Sequence, residues 1–201
     1  RFGADLLLTP AMEDYVKSIF RLSEREARLA QSLPGERRQR NESTNLALTY
    51  GQCKVSTQAL AGHLQVAAPS VTSMLKRLAE LNLVEYEPYY GVSLTELGVH
   101  VAAEMIRHHR LIELYLTKAL GYSGSEVHEE AEKLEHFISE TLEDRIDAAL
   151  GHPTVDPHGS PIPDVDGIFS SEEAWPLLQF PLNLPGKIVH APIDCNWAFG
   201  C

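Results

Sequence analysis

Cysteine is scarce in this 201-residue chain: Cys53, Cys195 and Cys201 are odd in number, far apart, and form no CxxC pair. That usage excludes a disulfide framework and a thiolate-rich zinc site, and a reducing, cytoplasmic setting suits it best. Long apolar runs are missing too. No stretch approaches the ~18 residues a membrane span needs. The opening RFGADLLLTP carries only a short greasy patch, so neither a secretory leader nor a membrane partner is expected. Positive charge is also short, with 17 Lys and Arg against 28 Asp and Glu and a net charge of −11. Taken alone, that balance opposes nucleic-acid binding, which rests on cations neutralising phosphates.

The average conceals a polarity. Between Glu126 and Leu150 nine acidic residues face two basic ones, a local net of −7; between Arg21 and Lys54 seven basic residues face four acidic ones, a local net of +3. The two regions are expected to do different things.

Hydrophobic spacing supplies the elements. Thr9-Pro10 reads as an N-cap followed by proline at the first helical position, and Met12, Tyr15, Val16, Ile19, Phe20 and Leu22 recur at helical spacing. A first helix is predicted from about Pro10 to the high twenties. A polar, basic, turn-rich loop then covers about residues 24–54, broken at Pro34-Gly35. It reads as an exposed insertion, with phosphate contact by its arginines as the alternative. Next, Ser56 or Thr57 caps a short helix, and Pro69 opens a second with Val71, Met74, Leu75 and Leu78 facing inward. LVEYEP and GVSLT are two short strands around Tyr89-Tyr90-Gly91. Two helices joined by a tight turn and followed by a hairpin make a winged helix-turn-helix. Thr95 caps a long helix ending at Gly121. Shorter helices are expected at Gly124–Phe137 and Ser139–Leu150, with a linker beyond Gly151.

The fold class is therefore mainly α. Residues 1–94 form a winged-helix DNA-binding domain, residues 95–152 a helical dimerisation and metal-binding domain, and residues 153–201 a linker and tail. In the recognition helix, Ala67, Pro69, Ser70, Thr72 and Ser73 are small or hydroxylic, suited to close approach, phosphate hydrogen bonds and thymine methyls. Lys76 and Arg77 follow, placed for phosphates. Double-stranded operator DNA, bound by a homodimer on two half-sites, is the partner this implies; a protein-interaction module is the alternative use of such a unit.

The segment VHEEAEKLEH carries the other chemistry. At roughly 100° per residue, His128, Glu132, Glu135 and His136 form one stripe bordering the apolar stripe of Val127, Ala131, Leu134 and Ile138. Crowded carboxylates on a half-buried stripe repel one another, and a divalent cation relieves that; a solvated acidic face is the competing reading. His109 and Glu113 form an i, i+4 pair on the preceding helix, and one of the flanking His108 and Arg110 is expected to face outward. Asp14 lies amid apolar neighbours on the first helix. HExxH is absent, and no nucleophile or oxyanion motif stands nearby, so an enzyme is not expected.

TPAMEDYVKSIFRL, the winged helix from Val55 to Gly98, RHHRLIELYL, and VHEEAEKLEH with DPHGSPIPD together resemble the diphtheria toxin repressor family of metal-dependent transcriptional repressors, and more closely its manganese transport regulator branch. The resemblance implies a primary metal site of Asp14, Glu132, Glu135 and His136, and an ancillary site of His109, Glu113 and His128, hence two sites per subunit. It departs at Lys17, where the manganese branch has a glutamate, and in the length of the basic loop. The residues after Phe169 are too few for more than part of that family's SH3-like third domain. Oxygen-rich donors with imidazole and no thiolate favour Mn2+, with Fe2+ as the alternative.

Overall fold

The structure, a computed structural model, describes residues 8–31, 51 and 53–169. Helix α1 spans Pro10–Gln31. Its first bonds close on Thr9, whose carbonyl accepts from the N–H groups of Met12 (2.8 Å) and Glu13 (3.1 Å). Pro10 has no N–H to leave unpaired at this end. Met12, Tyr15, Val16, Ile19 and Phe20 are all buried, as their spacing predicts. The helix persists to Gln31, so the basic loop begins later than residue 24; the expected breaker Pro34-Gly35 and its neighbours lie outside the described residues.

Helix α2 (Thr57–Leu64) is capped by Ser56, whose hydroxyl accepts from the Ala59 N–H at 3.0 Å. Gln65, in the left-handed region at φ 54°, turns the chain into α3 (Ala68–Glu80), where Val71, Leu75 and Leu78 are wholly buried. Strands β1 (Val84–Glu87) and β2 (Gly91–Leu94) pair antiparallel, with Val84 opposite Leu94 and Glu87 opposite Gly91. Val55 bridges to Val92 and ties the chain before α2 to this hairpin. The result is the expected winged helix-turn-helix.

Helix α4 (Glu96–Leu120) begins at Thr95, whose hydroxyl accepts from the Gly98 N–H at 3.0 Å and donates to the Asn82 carbonyl at 2.6 Å. That residue joins the end of the helix-turn-helix to the start of the second half. Along α4 the surroundings change. Val99, Ala102, Ala103 and Ile106 share one core with α1, α2, α3 and the wing. Leu111 and Leu114 pack with Ile146 of α6 (Glu140–Ala149), while Ile112 and Leu116 pack with Val127 and Ala131 of α5 (Ser125–Leu134). One long helix therefore belongs to both halves.

Three expectations need correction. Helix α5 stops at Leu134, three residues before Phe137; Glu135 and His136 form a turn, and Leu134 is 41% exposed instead of facing the core. The turn frees His136 from the helical stripe and sends it toward α1. Neither neighbour of His109 is left to solvent. His108 is buried against Glu143 at 3.2 Å, and Arg110 lies 3.6 Å from Asp156 and donates to the Pro161 carbonyl, because α4 is covered on several sides. Finally, the stretch after Gly151, expected as a linker, packs back on the molecule as far as it is described. Arg107 donates to the Pro163 carbonyl at 2.8 Å, Ile162 enters the core of α4 and α6, and Phe169 stacks on Phe20 with ring centroids 5.5 Å apart.

Candidate metal centre

All seven metal-ligand candidates meet in one region, where α1, α4 and α5 converge. They fall into two donor groups, each with ligand atoms within 4.8 Å of one another: Asp14 with Glu135 and His136, and His109 with His128 and Glu132. Glu113 completes the second group, its Oε1 lying 3.1 Å from His109 Nε2 and 3.0 Å from His128 Nδ1. The division differs from the one implied by resemblance in a single residue: Glu132 stands with the histidine pair and not with Asp14. Glu132 Oε1 lies 3.8 Å from His109 Nδ1 and 3.7 Å from His128 Nε2, whereas His136, in the turn after α5, reaches Glu13 and Asp14 on α1.

The first group has the arrangement of a prepared ligand set. His136 Nδ1 lies 2.6 Å from Glu13 Oε2, which fixes the ring and leaves Nε2 pointing at Asp14 Oδ1 (3.2 Å) and Glu135 Oε1 (3.6 Å). A carboxylate on the far nitrogen is the usual device for orienting a metal-binding imidazole. Burial raises the Asp14 carboxyl above its ordinary value; His136 and Lys17 oppose that rise, and Glu135 and Glu132 add to it by repulsion. A cation would relieve that crowding. Glu13 was not anticipated from the sequence. Its only signal is position, one residue before Asp14 in the first turn of α1.

The second group centres on the buried His109, whose Nδ1 meets Glu135 Oε2 at 2.6 Å while its Nε2 faces His128 Nδ1 at 3.1 Å. Burial lowers the His109 pKa, but hydrogen bonds to Glu113 and Glu135 outweigh it and the net shift is upward. Burial opposes ionisation of Glu113 as well, yet the hydrogen bonds and charges of His109 and His128 bring its carboxyl down to about 2. The His128 side chain is 52% exposed and opens this group to solvent. Glu135 is the shared residue, 1% exposed, with one oxygen toward His109 and the other toward Lys17 and His136. Both donor groups fit a hard divalent cation: carboxylate oxygens and imidazole, without thiolate.

On the other half, Ala67, Pro69, Ser70, Ser73, Lys76 and Arg77 are exposed along the start and outer face of α3. Thr72 is partly covered, and its hydroxyl donates to the Ala68 carbonyl at 3.2 Å, turned into its own helix. Among the described residues, no helix is long and apolar enough to cross a membrane.

A winged helix joined to a helical unit that gathers metal donors defines a class of regulator, and the relatives agree. Residues 46–92 match the iron-dependent repressor N-terminal DNA-binding domain, and residues 95–164 the iron-dependent repressor metal-binding and dimerisation domain. The chain is 38% identical over 92 residues to an HTH-type transcriptional regulator of Methanocaldococcus jannaschii, covering 46% of this chain and 74% of that one. It is 36% identical over 104 residues to the iron-dependent repressor IdeR of Mycobacterium tuberculosis, covering 52% and 45%. The solved structure of the manganese regulator SloR superposes with a TM-score of 0.61 at 35% identity, covering 81% of this chain and 64% of SloR. The chain thus spans less than two thirds of either IdeR or SloR. It belongs to the iron-dependent, or diphtheria toxin, repressor family, whose members are metal-dependent transcriptional repressors and not enzymes.

Proposed function

We propose that this chain is a manganese-activated repressor that binds operator DNA of metal-transport genes as a homodimer in the cytoplasm. One observation carries the reading. Asp14 belongs to α1, which packs in the core of the winged helix, while Glu135 and His136 belong to the helical half, and the three converge on one point. A divalent cation held by them supplies charge neutralisation and a cross-link between the halves. The conformer so selected sets the spacing of two recognition helices against two half-sites. His109, Glu113, His128 and Glu132 would hold a second ion.

The ion is assigned to Mn2+ from its donors, since carboxylate with imidazole suits Mn2+ or Fe2+ and no thiolate competes for softer ions. The likeness to SloR favours manganese; the likeness to IdeR keeps Fe2+ as the second reading. For the dimer, the exposed Leu134 (41%), Phe137 (79%) and Leu142 (49%) around the turn between α5 and α6 offer apolar surface of the kind partners cover.

The test is a mobility-shift titration on family-type operator DNA with Mn2+, with Fe2+ under anaerobic conditions, and with chelator. Binding should need a metal and respond to Mn2+ at lower concentration. Equal binding in chelator would sink the activation mechanism, and an Fe2+ response at lower concentration than Mn2+ would reassign the ion.

A further inference from the structure

The segment that returns after α6 reaches across α4 and ends on α1. Two arginines one turn apart on α4 hold its proline-rich backbone: Arg107 donates to the Pro163 carbonyl at 2.8 Å, and Arg110 to the Pro161 carbonyl. The chain then closes a tight turn. Asp164 Oδ1 accepts from the N–H groups of Asp166 (3.0 Å) and Ile168 (2.8 Å). Gly167, at φ 74°, passes so near α4 that a Cβ there would lie 3.2 Å from the Ala103 Cβ. This turn delivers Phe169 to α1. Its ring stacks on Phe20 with the planes 11° apart, and the Arg110 guanidinium lies over the same ring, 5.9 Å from its centroid.

Phe169 is 8% exposed and enters the core shared with the winged helix, although the segment that carries it is anchored on the helical half. An apolar contact thus joins the halves without using a metal donor. Phe20 and Asp14 both lie on α1, and six residues of helix span only about 9 Å. What fixes one therefore fixes the other. The placement of α1 that the stack holds is the one in which Asp14 Oδ1 lies 3.2 Å from His136 Nε2. Stacking and donor convergence favour the same arrangement.

We infer that Phe169 is a positioning residue for metal activation: its stack on Phe20 holds α1 where Asp14 already faces Glu135 and His136, so that an incoming cation has less of the site to order. This rests on the metal reading above. Apparent affinity falls by the fraction of molecules in the binding-competent arrangement, and losing the stack lowers that fraction.

The experiment uses the full chain with Phe169→Ala, with Phe169→Leu, which keeps apolar volume but no ring, and with Phe169→Tyr, which keeps the ring. Operator binding is titrated with Mn2+, and amide hydrogen exchange is followed in chelator. Phe169→Ala should need about five-fold more Mn2+ or higher for half-maximal DNA binding, yet reach the wild-type plateau. Phe169→Tyr should titrate as wild type. In chelator, exchange between Asp14 and Phe20 should quicken in Phe169→Ala while α3 keeps its wild-type rates. A folded Phe169→Ala, checked by circular dichroism, with the wild-type Mn2+ midpoint overturns the proposal, and so does a midpoint at lower Mn2+. Equal quickening of α1 and α3 also overturns it, since Phe169 would then add only general stability. If Phe169→Ala does not fold, Phe169→Leu decides by the same midpoint, displaced or unchanged. A wild type that binds DNA equally in chelator overturns the metal reading and this one together, and is recognised because the wild type then has no Mn2+ midpoint.

Discussion

Glu13 and His136 form a contact across the two halves: Glu13 Oε2 lies 2.6 Å from His136 Nδ1, and the ring's other nitrogen faces Asp14. The carboxylate selects the ring orientation that presents Nε2. Glu13→Ala should therefore weaken Mn2+ binding about 10–100-fold, measured by isothermal titration calorimetry. Unchanged affinity would mean that His136 is oriented by packing alone.

Asp14 contributes to the first donor group from α1, while Glu135 and His136 contribute from beyond α5. Asp14→Ala should bring DNA affinity in Mn2+ down to the level measured in chelator, while light scattering still reports the wild-type assembly. A variant that remains fully activated by Mn2+ would show that the group does not couple the two halves.

Lys76 and Arg77 are exposed on α3 beyond the small residues of its first turn. If each neutralises one phosphate, single alanine variants should flatten the dependence of log affinity on log salt by about 0.9 per residue. Binding should weaken evenly across operator sequences, because phosphate contacts carry no base information. A changed sequence preference would place these side chains on base edges.

Glu143 of α6 anchors the far side of α4. Burial opposes its ionisation, but hydrogen bonding and charge from His108, then from Arg107, hold the carboxyl below its ordinary value of 4.5. A carboxyl depressed in the folded state adds stability that is complete above the unfolded value and is lost as pH falls through the folded one. Glu143→Gln should lose roughly 3 kcal/mol near neutral pH, because the buried Arg107 guanidinium loses its carboxylate partner. It should also show a shallower loss of stability on acidification below about pH 4.5, read from urea unfolding at a series of pH values. Parallel pH profiles for the two proteins would argue against this linkage.

Gly98 lets α4 start directly against the end of the helix-turn-helix. A Cβ there would lie 2.0 Å from the Leu83 carbonyl oxygen, a backbone atom that cannot swing away. Gly98→Ala should cost about 1–3 kcal/mol or more, seen as a lower thermal midpoint. Retention of the wild-type midpoint would mean that α4 can shift away from Leu83.

Much of the architecture was readable from local pattern. The caps at Ser56 and Thr95, the inward residues of α3 and the stop at Gly121 each depend on atoms within a few residues, so spacing alone reveals them. Local pattern failed where a neighbour decides. Beyond Leu134, the expected stripe continues in sequence, but the chain turns so that His136 can reach Glu13 and Asp14 on α1. His108 and Arg110 read as though one must face water, yet α6 and the returning segment give both a partner.

The winged helix, the long shared helix, and the choice of carboxylates and imidazoles are written in local pattern, because residue type and periodicity fix which side chains are available and which face they occupy. How those donors divide depends on tertiary packing. It placed Glu132 with the histidine pair, set Glu13 behind His136, and put the Lys17 ammonium between Glu132 and Glu135. The contacts of Glu13 with His136 and of Lys17 with Glu132 and Glu135 join residues more than a hundred positions apart. Their geometry follows from how α1 packs against α4 and α5, which no single segment encodes.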